Sequence, residues 1–151
     1  MKAILPRAEG SWPVHFFVRG KPRPKGSPSI YRRKSTGRPF VRESTGEIAW
    51  EKSVRVLAGL ARRRACLVMA LGPMRVELEF LLAGPKRPTA AGAAIAPDID
   101  KLARAVLDAL SGELYADDRQ VIVLIACKRL AEPAEHPGVH ITATAVGSRD
   151  A

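Results

Sequence analysis

Pro97-Asp98-Ile99-Asp100-Lys101-Leu102-Ala103-Arg104-Ala105-Val106-Leu107-Asp108-Ala109-Leu110 is the stretch that organises this chain. Ile99, Leu102, Val106 and Ala109/Leu110 recur at three and four, the period of a helix with one apolar face. Pro97 ends the preceding segment and leaves Asp98 as a natural N-cap, and Ser111-Gly112 ends the helix. Asp117-Asp118 follow immediately before the apolar run Val121-Ile122-Val123-Leu124-Ile125. The motif therefore predicts a helix between loop acids and a strand.

The neighbouring segments extend this pattern. Met74 to Leu82 sets Val76, Leu78 and Phe80 against Arg75, Glu77 and Glu79, a strand with one wet face. Val14 to Arg19 reads as a first strand ending at Gly20. Residues 20 to 38 are broken by proline and glycine, and Pro39 to Arg42 forms a short extended piece returning to the sheet. Ser44 to Ala65 is a second helix, capped by Ser44 or Thr45, with Ile48, Val54, Val56, Leu57, Leu60 and Ala61 as its apolar stripe. Gln120 to Leu130 and Val139 to Val146 read as two further strands joined by a hairpin loop at Pro133 to Pro137. No repeat or heptad array is visible. The expected fold is α+β, a single domain over 1–151 with a mixed sheet and two main helices.

The chain has 151 residues, 46% hydrophobic, enough for one core. Its net charge of +10 is unevenly placed. Residues 1–80 carry 17 Lys+Arg against 6 Asp+Glu, while residues 81–151 carry 8 against 9. A basic half beside an acidic cluster points to a nucleic acid that is held by one and acted on by the other. From Arg19 to Arg42 there are cations at 19, 21, 23, 25, 32, 33, 34, 38 and 42 and no acid. Prolines stiffen this loop, taken as 20–42, and Tyr31 offers a stacking surface. Lys21, Arg23, Lys25, Tyr31, Arg32, Arg33 and Lys34 are thus candidate DNA contacts, with a solvated basic loop as the plainer alternative. Arg62-Arg63-Arg64 suit either a helix C-terminus or phosphate contact. Residues 85–96 are small and proline-containing, and read as a flexible loop before the acidic motif.

No segment approaches the roughly 18 apolar residues of a membrane span, and the N-terminal Met-Lys-Ala-Ile-Leu-Pro is too short for a signal peptide. No membrane partner and a cytoplasmic location are expected. Cys66 and Cys127 read as buried free thiols. His136 and His140 flank a turn rather than sharing a helix face, so they do not read as a zinc pair. No P-loop glycine pattern or Ser-His-Asp set is present, and no organic cofactor is expected.

At about 100° per residue, Asp100, Arg104 and Asp108 share one stripe, and Asp98 can face the same ion as Asp100 only if it precedes the first turn. Two carboxylates about 4 Å apart repel by about 4 kcal/mol at an effective dielectric near 20, so a cluster needs a proton, a lysine or a metal ion. Mg²⁺ would supply chemistry as well, polarising a phosphoryl oxygen and activating water. Lys101 and Arg104 would stabilise the developing negative charge, with an Asp100–Arg104 pair within the helix as the structural alternative. Asp98 as a simple cap and Asp117-Asp118 as turn residues are the corresponding alternatives for the acids.

In these residues the chain resembles the RusA family of Holliday junction resolvases, common in phages and prophages. The matching run is Asp98-Ile99-Asp100-Lys101-Leu102-Ala103-Arg104-Ala105-Val106-Leu107-Asp108-Ala109-Leu110, then Asp117-Asp118-Arg119-Gln120-Val121. The likeness extends to the first strand, Gly20 to Pro28, Trp50 and Lys128. The resemblance implies Asp98, Asp100 and Asp118 as metal-binding carboxylates with Asp117 in support, and Lys128 among the DNA contacts. It also implies a homodimer that nicks two strands of a four-way junction symmetrically, with Mg²⁺ or Mn²⁺. Two positions depart from the family pattern: Lys101 stands in place of asparagine, and Arg104 in place of the catalytic lysine. Arginine keeps the charge but cannot exchange a proton near neutral pH, so Lys101 competes for the lysine's role. A catalytically silent DNA-binding protein, and a metal nuclease preferring flaps, forks or RNA, are the rival readings.

Overall fold

The computed structural model describes residues 12–26, 30–41, 45–87 and 90–147. Four strands form the main sheet: β1 (Val14–Arg19), β4 (Met74–Leu82), β5 (Val121–Leu130) and β6 (Gly138–Ala145), in the order β1-β6-β4-β5. β4 and β5 are parallel, and β6 lies antiparallel to both β1 and β4. The mixed α+β sheet with two helices is therefore as expected. Helix α1 spans Thr45–Arg64 and helix α2 spans Ile99–Leu110.

Alternation decides which sheet face is covered. Val14 and Val18, Val76, Leu78 and Phe80, and Val139, Ile141 and Ala143 point into one buried cluster with both helices. The in-between residues His15, Glu77, Glu79, His140 and Thr142 line the opposite, open face. From α2 the cluster takes Leu102, Ala103, Ala105, Val106, Ala109 and Leu110, while Ile99 at the helix start is half-buried outside it and Asp100, Lys101 and Arg104 are exposed. Gly138 is required by packing: a Cβ there would run into the Val18 carbonyl oxygen and the Phe17 ring.

Several sequence expectations are corrected. Residues 121–145 do not form a hairpin, because β6 lies on the far side of β4 from β5. The connecting segment crosses the end of β4, tied there by Ala131 N–H to the Leu82 carbonyl at 2.8 Å. Arg129 also pairs with Glu79 of β4 and with Glu135 of the connection. Pro39–Val41 (β3) is extended but does not join the main sheet. It pairs with Ile30–Arg32 (β2) in a separate two-stranded arm inside the segment expected to be irregular. On α1 the buried residues are Trp50, Val54, Ala58 and Gly59, whereas Ile48 and Val56 are exposed. The caps expected at Ser44 and the strand end at Arg42 lie outside the described residues. Cys66 and Cys127 are free but exposed rather than buried. Among the described residues no helix is long and apolar enough to cross a membrane.

Candidate functional site

Asp98 occupies the N-cap position of α2 with extended backbone, φ −65° and ψ 139°, yet its side chain makes no capping bond. Its carbonyl oxygen starts the helix by accepting from Leu102 N–H at 3.1 Å. The carboxylate is left to face outward and meets Lys101 Nζ at 2.8 Å. Lys101 holds the Asp98 carboxyl below the usual range, chiefly through that bond. In return the Lys101 ammonium is held above its ordinary value by Asp98, with Asp100 adding a weaker attraction. Lys101, rather than Arg104, is thus the cation that both leading aspartates draw on. The described pair on α2 is Asp98 with Lys101, not Asp100 with Arg104. Arg104 is exposed.

The second acidic pair sits in a 3-10 turn, Asp118–Gln120, that leads into β5. Asp117 caps this turn, accepting from Arg119 N–H at 2.9 Å and from Arg119 Nε at 2.9 Å. Arg119 lowers the Asp117 pKa through these bonds. Gln120 anchors the turn from both ends of its amide. Its Oε1 accepts from Ala116 N–H and Asp117 N–H at 2.8 and 3.2 Å. Its Nε2 donates to the Ala70 and Gly72 carbonyls, each at 2.9 Å. Below the turn lies Tyr115, wholly buried, whose hydroxyl donates to the Leu107 carbonyl at 3.1 Å. Burial first, then the nearby Asp118 and Asp108 charges, push the tyrosine pKa up.

Asp98 and Asp100 open α2, while Asp118 lies by Tyr115 and Leu107 near the other end of the helix. Twelve residues at about 1.5 Å each span about 18 Å. One chain therefore does not bring the three expected metal carboxylates together. Among the described residues no three His, Cys, Asp or Glu side chains form a group that could hold a metal ion. The donors themselves, all carboxylate oxygens, suit a hard divalent cation.

Two other candidate residues are engaged inside the protein. Lys25 Nζ lies 3.1 Å from Glu51 on α1 and 2.9 Å from Asp108 on α2, and its backbone N–H donates to the Lys101 carbonyl at 3.0 Å. It clamps the proline-rich segment across both helices. Lys128 Nζ donates to the Ile95 and Pro97 carbonyls at 2.6 and 2.9 Å, fixing the turn that presents Asp98. By contrast Lys21, Tyr31, Arg32, Arg33 and Lys34 are exposed and Arg23 is half-buried. The β2–β3 arm carries Tyr31 beside Phe40, ring centroids 5.9 Å apart, with Arg33 stacked over Phe40.

A model of the family described as endodeoxyribonuclease RusA matches residues 19–144. The chain belongs to the RusA family. No curated protein matches it. RusA membership makes it an endodeoxyribonuclease by family and supports action on Holliday junctions in general. The contacts of the structure give a reason for motif residues that spacing left without a role. Gln120 of the Asp-Asp-x-Gln run builds the turn carrying Asp118, and Asp108 anchors Lys25. The only sequence signal for either was its place in the motif. Both contacts join residues far apart in the chain.

Proposed function

We propose that this RusA protein is a divalent-metal-dependent endodeoxyribonuclease that nicks four-way DNA junctions and related branched DNA, working as a homodimer. The observation that carries the reading is the separation of the acids to the two ends of α2, beside a strand edge that is unpaired among the described residues. Among the described residues β5 bonds to β4 on one side only. It exposes Ile122, Leu124 and Ile125, an arrangement that invites another strand. Antiparallel pairing of β5 with a second β5 about a two-fold axis would set the start of one strand beside the end of the other. The start of β5 carries Asp118. Its end carries Lys128, about 23 Å from Val121 at about 3.3 Å per residue, and Lys128 holds the turn of Asp98. Two mixed sites would result, each with Asp98 and Asp100 from one chain and Asp118 from the other.

At such a site Asp98, Asp100 and Asp118 would hold the ion, with Asp117 in support. Bound there, Mg²⁺ or Mn²⁺ would supply Lewis-acid polarisation of the phosphate and a water of lowered pKa. The chain's own groups do the rest. Lys101, whose ammonium lies 2.8 Å from the Asp98 carboxylate, donates to the phosphate as negative charge develops. Arg104 adds a fixed positive charge one turn further along. Lys21, Arg23 and the arm residues Tyr31, Arg32, Arg33 and Lys34 position the backbone of the junction. Lys25 and Lys128 position the segments that carry these groups. Two sites in one symmetric dimer fit the need to nick two strands.

Cleavage of synthetic four-way junction, fork, flap and duplex DNA, with and without EDTA, tests the reading. Metal-dependent nicks concentrated on the junction are expected. Binding without nicks under every metal condition would favour a silent DNA-binding protein, and equal cutting of plain duplex would remove branch selectivity.

A further inference from the structure

A slot of about 430 Å³ opens directly against Asp98. Its size falls within the roughly 300–1,000 Å³ range of small-molecule sites. Pro22 and Pro24 line it from the basic segment, and Ala96 and Pro97 line it from the loop before α2. Lys21, Arg23 and Lys101 place three cations at its edges, and Asp98 is its single acid.

Both sides of the slot are held in place before any ligand arrives. On one side Pro22 is buried, and the segment is pinned by Lys25, through its N–H to the Lys101 carbonyl at 3.0 Å and its ammonium to Asp108 at 2.9 Å. On the other, Lys128 grips the Ile95 and Pro97 carbonyls. Proline rings cannot rotate away and have no N–H to satisfy, so they form flat apolar surfaces at little entropic cost. A phosphate alone does not need such surfaces. A flat, apolar-faced group attached to phosphates does.

We propose that this slot receives one nucleobase of the cut strand, turned out of the stack next to the phosphate that Asp98 faces. Its neighbouring phosphates lie along Lys21, Arg23 and Lys101. The inference rests on the nuclease reading above. Unstacking a base costs least where pairing is already broken, so a slot of this kind favours a branch point over continuous duplex. It thereby ties selectivity for branched DNA to the proline walls rather than to the acids.

The test pairs the substrate with the slot. Junctions carrying one tetrahydrofuran abasic residue, placed in turn at each nucleotide around the mapped cut, are cleaved by the wild-type protein and by Ala96→Phe. Ala96 lines the slot, is exposed and lies outside the core cluster, so a ring there is meant to obstruct the slot while leaving the core alone. At one position the abasic residue is expected to slow wild-type cutting about tenfold. Ala96→Phe is expected to slow cutting of the intact junction by a similar factor, yet to change cutting of that abasic junction less than about twofold. Wild-type rates within about twofold at every abasic position, or equal slowing of all substrates by Ala96→Phe, would overturn the slot. Failure of the wild-type protein to cut any intact junction with metal present would instead overturn the nuclease reading, and the slot with it.

Discussion

Asp98 and Lys101 are joined carboxylate to ammonium at 2.8 Å across the first turn of α2. Asp100 pulls on the same ammonium. The lysine introduced by this chain thus sits among the acids, while Arg104 points to solvent one turn on. Lys101→Ala is expected to lower single-turnover cutting about 100-fold, the cost of losing one preorganised donor, with junction affinity little changed. Intact cutting in Lys101→Ala together with lost cutting in Arg104→Ala would assign the role to the arginine instead.

Lys25 has a different expected signature from the exposed cations. Asp108 first, then Glu51, raise its pKa against the opposing effect of burial. A raised pKa means the clamp's stabilisation is fully present below the unfolded value of 10.5 and is lost as pH rises through the folded value. Lys25→Met should cost about 1 kcal/mol and lower Tm by about 2–4 °C near neutral pH, a difference that shrinks in strong alkali. Thermal melts across the alkaline range measure it. An unchanged Tm across that range would contradict the clamp.

The arm cations should behave oppositely. Replacing Arg32, Arg33 or Lys34 with Ala is expected to leave Tm alone and to reduce the slope of log affinity against log salt by about 1 for each phosphate contact removed. Titrations of junction DNA at several salt concentrations decide this. Unaltered slopes in all three variants would leave the arm a solvated loop.

Arg129 holds Glu135 down at a pKa of about 2, mainly by direct hydrogen bonding, with Glu132 N–H helping. The depressed value means this tie contributes fully above the unfolded pKa of 4.5 and is lost as pH falls toward about 2. Glu135→Gln should therefore flatten stability over that acid window. Chemical denaturation at successive pH values checks it, and an acid limb identical to wild type would refute the assignment.

Helix α2 was legible to the residue because every local signal agreed: Pro97 and Asp98 at its start, an apolar stripe of the right period, and Ser111-Gly112 at its end. Strands β5 and β6 were legible as strands but not as non-neighbours. Alternation records which side of a strand is buried, not which strand lies beside it, and a short connection over the end of β4 looks like a hairpin loop. On α1 the apolar side chains of Ile48 and Val56 read as part of the buried stripe, but the buried line runs through Trp50, Val54 and Ala58 at successive fours. At the site, spacing found the acids. It could not reveal that a helix of 12 residues separates Asp98 from Asp118, nor that Lys25 and Lys128 are spent on internal contacts, because those depend on partners distant in sequence.

The mixed site across two chains is tested most directly by complementation. Asp98→Asn and Asp118→Asn proteins, each expected to bind junctions but not cut them, are co-expressed with different tags and the heterodimer is isolated. Shared sites leave one site with both substitutions and one with none, so the heterodimer is predicted to regain metal-dependent nicking, one strand per junction. A heterodimer as inactive as either parent, still binding junction DNA, would contradict it.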